Sequence, residues 1–517
     1  MGVTLGTGTN VTASNVTGRR NSDRSSAFCA VRHPYGRFGR IQGEAVDDKG
    51  NVMNKSKTRS LVALAAATAL AVTVMPSTTS AGGRPERPDY VIDQDQVAAE
   101  IAAVEAATGQ PVVSGEIAGA AWIGQIPDNW NGDLVIYAHG YRGEGTALTV
   151  DAAPEFEFLV EQGYAWAASS YRRNSYDPGI GVRDTKRVTR KMERLLRKHG
   201  HVENTYITGY SMGGHVTAAA IERYPWLYDG AMPMCGVVGD VELFDYFLDY
   251  NLGAAALAGL PPTFPSPVDD WTSTTVIDIK AALSTDPTGS WAGGFAQIQG
   301  APSPLTEQGE AFKDFVEIGS GGERVNFDLA WNYWHGLADP TGNFFFSLGE
   351  GDGTVGNRRG LVAQNSDMTY LDEYGFDIDD DVKRQTASKR NRDPWFRNRP
   401  APIIAGTPIV PVLALHTTGD LFVPIEMEQI YAQEVQDNGR SDLLVQRAIR
   451  DVGHCSFTSE EVQQAYTDLF DWVETGSRPA GDDLLNDISS PSLGCEFTIG
   501  DGGSGFRPFL EPCPIES

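Results

Sequence analysis

The chain is 517 residues long, more than one ordinary hydrophobic core organises, so two or three domains, or one large domain with an insertion, are expected. Hydrophobic residues make up 41% and aromatic residues 10%, which suits a sizeable core and excludes wholesale disorder. Sixty-eight acidic residues against 41 basic ones give a formal charge of −27, which repels phosphate backbones and anionic headgroups; no nucleic-acid partner is expected.

Charge is unevenly spread. Residues 1–81 hold ten basic and only four acidic residues, so the remainder carries a net of −33. From Met53 the chain has the form of a secretory signal: Lys55, Lys57 and Arg59, then the apolar run Leu61–Met75, then small residues at Thr79-Ser80-Ala81. The run is short for a membrane span and no stop-transfer charges follow, so no stable anchoring is expected once the signal is cleaved. Residues 1–52 show no periodicity and read as an unstructured or non-native extension before a true start at Met53, with a mature protein beginning near Gly82. Export agrees with the cysteines: setting Cys29 aside, Cys235, Cys455, Cys495 and Cys513 form an even set without a CxxC pair.

Beyond the signal, short apolar runs alternate with amphipathic stretches. Strands are predicted at Leu134–Ala138, Tyr164–Ser169, Thr205–Thr208 and Gly230–Met234. Helices are predicted over 155–162, over 182–199, where Val188, Met192, Leu195 and Leu196 form one stripe, and over Met212–Arg223. The rhythm stops over 241–400, which is rich in Gly, Pro, Trp and Phe. It resumes with a strand at Pro411–His416, a helix at Glu426–Val435, a strand at Leu443–Ile449 and a last helix after the cap-like Thr458-Ser459-Glu460-Glu461. This pattern predicts an α/β fold: a mostly parallel sheet with helices on both faces, its core split into 82–240 and 401–479 around a lid inserted at 241–400. The Gly/Pro/Ser-rich tail 480–517 holds Cys495 and Cys513 close enough to staple each other, a bridge expected to break without disturbing any active site.

The strongest chemical signal is Gly209-Tyr210-Ser211-Met212-Gly213, a G-x-S-x-G turn between a predicted strand and a predicted helix. Such a turn lifts the serine hydroxyl clear of the sheet, above a helix N-terminus that favours negative charge. A serine needs a base, and the base an orienting acid. His454, in Asp451-Val452-Gly453-His454-Cys455, follows the last strand on the edge where it can reach the serine. His199 and His201 lie at the opposite edge and read as surface residues, and His215 as packing. Asp420, after the strand Pro411–His416, is the expected acid, with Asp240 as its rival. His139-Gly140-Tyr141 offers backbone donors, so the N–H groups of Tyr141 and Met212 are the expected oxyanion hole.

The segments HGY, GYSMG, TTGDLFVP and GHC, in this order over about 110–240 and 401–476, resemble the α/β-hydrolase superfamily, in particular its secreted serine esterase and lipase branch. The resemblance implies Ser211 as nucleophile, His454 as base and Asp420 as acid, with oxyanion donors at Tyr141 and Met212. One detail is similar to the tannase and feruloyl esterase group, in which cysteines beside the serine and the histidine are linked: Cys455 follows His454, although Tyr210 rather than cysteine precedes Ser211. Cys235 is an alternative partner for Cys455.

The acidic cluster Asp377, Asp379, Asp380 and Asp381 lacks EF-hand spacing and reads as a solvated loop, and no metal or cofactor is expected. Trp271, Trp291, Phe295, Phe315, Trp331, Trp334 and Phe344–Phe346 read first as the lid's own core and second as a pocket lining. The expected activity is hydrolysis of a small or polymeric carboxylic ester through an acyl-enzyme. A secreted aminopeptidase and a non-catalytic binding protein of the same fold are the alternatives.

Overall fold

The structure is a computed structural model and describes residues 88–261, 271–286, 288–338, 341, 343–348, 360–366, 368–370, 378–392, 401–500 and 502–514. The expected extension, the signal, Cys29 and Asp377 lie outside these residues.

Eight strands form one sheet. In chain order they are β2 (Val112–Ile117), β3 (Ala120–Gln125), β4 (Leu134–Ala138), β6 (Ala165–Ser169), β7 (Thr205–Tyr210), β8 (Gly230–Met234), β9 (Val412–Thr417) and β10 (Leu444–Ile449); two short strands, β1 (Val91–Ile92) and β5 (Ala147–Leu148), pair separately. Across the sheet the order is β10-β9-β8-β7-β4-β6-β3-β2. The six strands from β10 to β6 run parallel, and β3 and β2 add on antiparallel. Every residue of β4, β6, β8, β9 and β10 is buried, which is why these strands read as continuous apolar runs rather than alternating ones. Neighbouring residues still serve opposite faces. Ile207 packs with α3 (Pro178–Leu196), α4 (Met212–Arg223) and α12 (Glu426–Asp437), while Tyr206 packs with α1 (Gln94–Thr108), α2 (Phe156–Glu161) and α13 (Ser459–Thr475).

The predicted strands and helices of both core halves are present, with small shifts at their ends. The helix expected from 182 starts a turn earlier because Pro178 is suited to the first helical position and the Asp177 side chain accepts the Ile180 N–H. α13 starts on a capping box between Thr458 and Glu461 and stops at Gly476 in the left-handed conformation. The sequence reading did not anticipate α1 or the hairpin β2–β3.

Between β8 and β9 the regular elements among the described residues are helices, joined by irregular segments: α5 (Glu242–Leu257), α6 (Thr275–Leu283), α7 (Phe295–Ile298), α8 (Glu307–Gly319), α9 (Phe327–Asn332) with a wide turn over Tyr333–Leu337, α10 (Phe344–Ser347) and α11 (Lys389–Arg392). Trp271, Trp291, Phe315, Trp331, Phe345 and Phe346 are buried together, so most of the aromatic residues singled out in the sequence do form a core of their own. In the acidic cluster, Asp379 accepts the Tyr370 N–H at 2.8 Å and pairs with Arg384, while Asp380 and Asp381 are exposed.

The C-terminal segment lies along β10. Asp482 exchanges bonds with Gln446 and Ala448, and Arg450 Nε donates to Leu493 O at 2.7 Å, so the outer strand of the sheet is covered. Cys495 and Cys513 are bonded to each other.

Candidate active site

Ser211 sits at the hinge between β7 and α4 with φ 58 and ψ −122, a strained backbone for a residue with a side chain. The flanking glycines make this turn sterically possible. A Cβ on Gly213 would lie 1.9 Å from Ala138 O, and one on Gly209 would lie 2.4 Å from Gly213 O. The turn is held from behind by Ser211 N–H donating to Met234 O at 3.0 Å and Val237 N–H donating to Ser211 O at 3.3 Å.

Gly140 passes directly beside the serine: a Cβ there would lie 3.3 Å from Ser211 Cβ. Among the described residues, neither Tyr141 N–H nor Met212 N–H donates to an acceptor. One follows the loop that skirts the serine and the other opens α4. His139 stacks on Tyr171 at 3.9 Å between ring centroids, and burial pushes its imidazole well down, so it is a neutral supporting group beneath the loop.

Asp420 and His454 come together from the ends of β9 and β10. Asp420 is fully buried; its Oδ1 accepts the N–H groups of Phe422 and Val423 at 2.9 and 3.0 Å, and its Oδ2 lies 2.5 Å from His454 Nδ1. That contact leaves Nε2 as the free ring nitrogen, buried and without a hydrogen-bond partner. Phe422 meets the imidazole edge to face at 5.2 Å.

Cys235, next to the Met234 that holds the serine turn, is disulfide-bonded to Cys455, next to His454. The bridge spans 220 residues of sequence and ties the serine side of the sheet to the histidine loop. The His454 ring and both sulfur atoms fall within 4.8 Å of one another, but sulfurs joined in a disulfide are not thiolate ligands for a metal.

The rival acid does not meet the histidine. Asp240 is buried against backbone, accepting from Val241 N–H and from Ile404 N–H at 2.7 Å, and burial pushes its carboxyl up to about 8. His215 is buried between Tyr176 OH and Pro402 O, and His199 and His201 are exposed, as read from the sequence. Sequence reasoning did not anticipate three contacts onto these loops, two from residues it had not singled out and one from Trp334, which it had read only as lid core or pocket lining. Arg324 Nε donates to Thr418 O at 2.7 Å, Trp334 reaches Gly419 and Val452, and Arg507 pairs with Asp451. Their acceptors are mostly backbone carbonyls, which leave no trace in a sequence.

Six parallel strands, a strained serine between strand and helix, and an acid–histidine pair on the following loops of the same edge define an α/β-hydrolase fold. No family model matches the chain. It is 23% identical over 432 residues to the o-phthalyl amidase of Xanthobacter agilis, a match covering 72% of this chain and 90% of that one. Among solved structures it is similar to feruloyl esterase B from Aspergillus oryzae, at 14% identity and a TM-score of 0.42 over 71% of this chain and 80% of that one. It is also similar to a second esterase from Aspergillus oryzae, at 15% identity and a TM-score of 0.39 over the same shares. No described helix is long and apolar enough to cross a membrane.

Proposed function

We propose that the chain is a secreted serine hydrolase that cleaves carboxylic esters through a Ser211–His454–Asp420 triad. The observation that carries this reading is the His454–Asp420 contact, which reserves Nε2 for a proton donor, on the sheet edge where the strained turn raises Ser211. In this scheme His454 Nε2 takes the Ser211 proton as Oγ attacks the acyl carbon. Asp420 stabilises the imidazolium, and the Tyr141 and Met212 N–H groups receive the oxyanion. His454 then protonates the departing alcohol, and water, activated by the same ring, releases the acid. Two disulfides support an oxidising, extracellular setting for a chain that carries a signal-like segment. The helical insertion serves as the lid.

Amide cleavage by the same triad is the second reading, favoured by the o-phthalyl amidase relative. The aminopeptidase version of it requires carboxylates beside Ser211 to hold an ammonium. The acidic cavity of about 220 Å³ lined by Glu242, Asp245, Asp249 and Glu426 includes neither Ser211 nor His454.

The test is turnover of p-nitrophenyl esters, aliphatic and aromatic, beside the matching anilides and aminoacyl-anilides. Ester turnover exceeding anilide turnover supports the first reading and the reverse supports the second. Absence of both from folded protein overturns the hydrolase reading. N-terminal sequencing of exported protein tests secretion, with a start near Gly82 expected.

A further inference from the structure

We infer that Trp334, in the helical insertion, is a positioning residue that couples the acid and base loops of the proposed triad. The inference rests on that triad reading for its kinetic consequence but not for its structural one.

The indole Nε1–H of Trp334 lies 2.9 Å from Gly419 O and 2.9 Å from Val452 O, so one donor is shared by two carbonyls. Gly419 precedes Asp420, and Val452 stands two residues before His454. Among the described residues neither carbonyl receives another donor. The loops meet directly as well, through Gly419 N–H donating to Asp451 O at 2.9 Å and Thr417 Oγ1 to Gly453 O at 2.8 Å. Those bonds come from within the sheet core. Trp334 joins the two loops from outside, from the helical insertion, whose Arg324 also donates to Thr418 O on the acid loop.

The ring is also part of an aromatic path to the imidazole. Trp334 stacks on Phe344 at 5.9 Å, Phe344 meets Phe422 edge to face at 5.0 Å, and Phe422 meets His454 at 5.2 Å. Trp334 is buried, with 8% exposure, so its donor acts in a setting where an unpaired carbonyl is costly. Loss of the N–H frees two carbonyls to turn in search of other donors, and each is joined by a short stretch of chain to one partner of the 2.5 Å His454–Asp420 bond. Movement of the insertion is thereby felt at the acid–base pair, while the serine turn, which Trp334 does not touch, stays in place.

The test replaces Trp334 by its benzothienyl isostere, which keeps the shape and lacks the donor, and compares it with Trp334→Phe. The direct readout is exchange with water of the downfield His454 Nδ1 proton, assigned by its loss in Asp420→Asn. Exchange faster by roughly tenfold or more is expected, with kcat for any substrate turned over falling by about the same factor and KM little changed. Phe344→Leu, which loosens the stack but spares the donor, should leave the proton protected. If the isostere folds with unchanged proton exchange, the inference is overturned, whether or not the protein proves to be a hydrolase. A failure of the hydrolase reading alone is seen as absent turnover with the proton effect intact.

Discussion

Arg507, in the C-terminal segment, is buried with its Nε 2.8 Å from Asp451 Oδ2, and its other nitrogens reach both carboxylate oxygens of Glu461 and Ser456 O. Asp451 and Ser456 bracket His454. The loop that presents the proposed base is thus clamped from behind by a residue inside the ring closed by Cys495–Cys513. From sequence position this bridge was expected to be separable from the site; the Arg507 contacts give it a physical route to the histidine loop, on which the tail packs.

Arg507→Ala should therefore do more than fray a terminus. It leaves Asp451 and Glu461 buried without their cation, a change that typically costs roughly 3–5 kcal/mol. A thermal midpoint lowered by several degrees and a severalfold loss of turnover are expected in melting and steady-state assays. Cys495→Ser with Cys513→Ser should move both quantities in the same direction by less. Unchanged turnover in Arg507→Ala would show that the clamp does not bear on His454.

Ser211→Ala should abolish turnover by several orders of magnitude while the circular dichroism and melting profile stay close to those of the parent. Asp420→Asn should cost on the order of 10⁴ by presenting the wrong imidazole tautomer. Asp240→Asn should lower stability, since Val241 N–H and Ile404 N–H are accepted by different carboxylate oxygens and the amide keeps an acceptor for only one of them, without a comparable loss of rate. The reverse ranking of the two aspartates would place the acid at Asp240.

Joining Met234's neighbour to His454's neighbour, the Cys235–Cys455 bridge closes a long loop, worth roughly 5 kcal/mol on the loop-entropy account. Mild reduction should lower turnover before the far-ultraviolet spectrum changes. Mapping of peptides without reductant should recover the two linked pairs, and free thiols at Cys235 and Cys455 would remove this bridge from the picture.

Stability should fall as pH rises from about 6.5 to 8.5. Burial pushes Asp240 and Glu426 up to about 8 and Glu317 to about 7, so in this window the folded chain binds protons that the unfolded chain has released. His416 acts in the same sense: burial opposes its charge, but Glu428 on Nδ1 prevails and raises it, so its contribution is also lost as pH rises through the folded value. His139 and His215, pushed down by burial, have the opposite effect, but only below about pH 6.5, where the unfolded imidazoles are charged. Melting temperatures at constant ionic strength check this, and Asp240→Asn should flatten the slope.

The parts legible in the sequence were those whose cause is local. Gly209 and Gly213 mark the serine turn because no side chain fits there, and the buried strands β4, β8, β9 and β10 stand out as short apolar runs between polar segments. Asp420 and His454 could be placed because each follows a recognisable strand. α1 was missed because only Val97 and Val104 of its 15 residues are buried, which is too little for a stripe, and β2 because half of it faces solvent. The loop contacts of Trp334, read from sequence only as lid core or pocket lining, and of Arg507 were missed for another reason. Their bonds cross 85 to 118 and 46 to 56 residues and depend on where loops meet, not on any pattern along the chain.

The insertion point also sets the order in which the molecule can be completed. β8 and β9 are neighbours in the sheet, yet the whole helical insertion is synthesised between Met234 and Val412. At ordinary translation speeds the growing chain spends on the order of ten seconds or more with the outer edge of β8 uncovered. In that interval Ser211 exists without Asp420 and His454, so on the proposed mechanism the nascent chain lacks the groups that would activate the serine. The open edge is the kind that pairs with other chains. Refolding yield should consequently depend steeply on protein concentration until the last two strands dock, and the acidic charge of the chain, by keeping copies apart, favours the productive outcome.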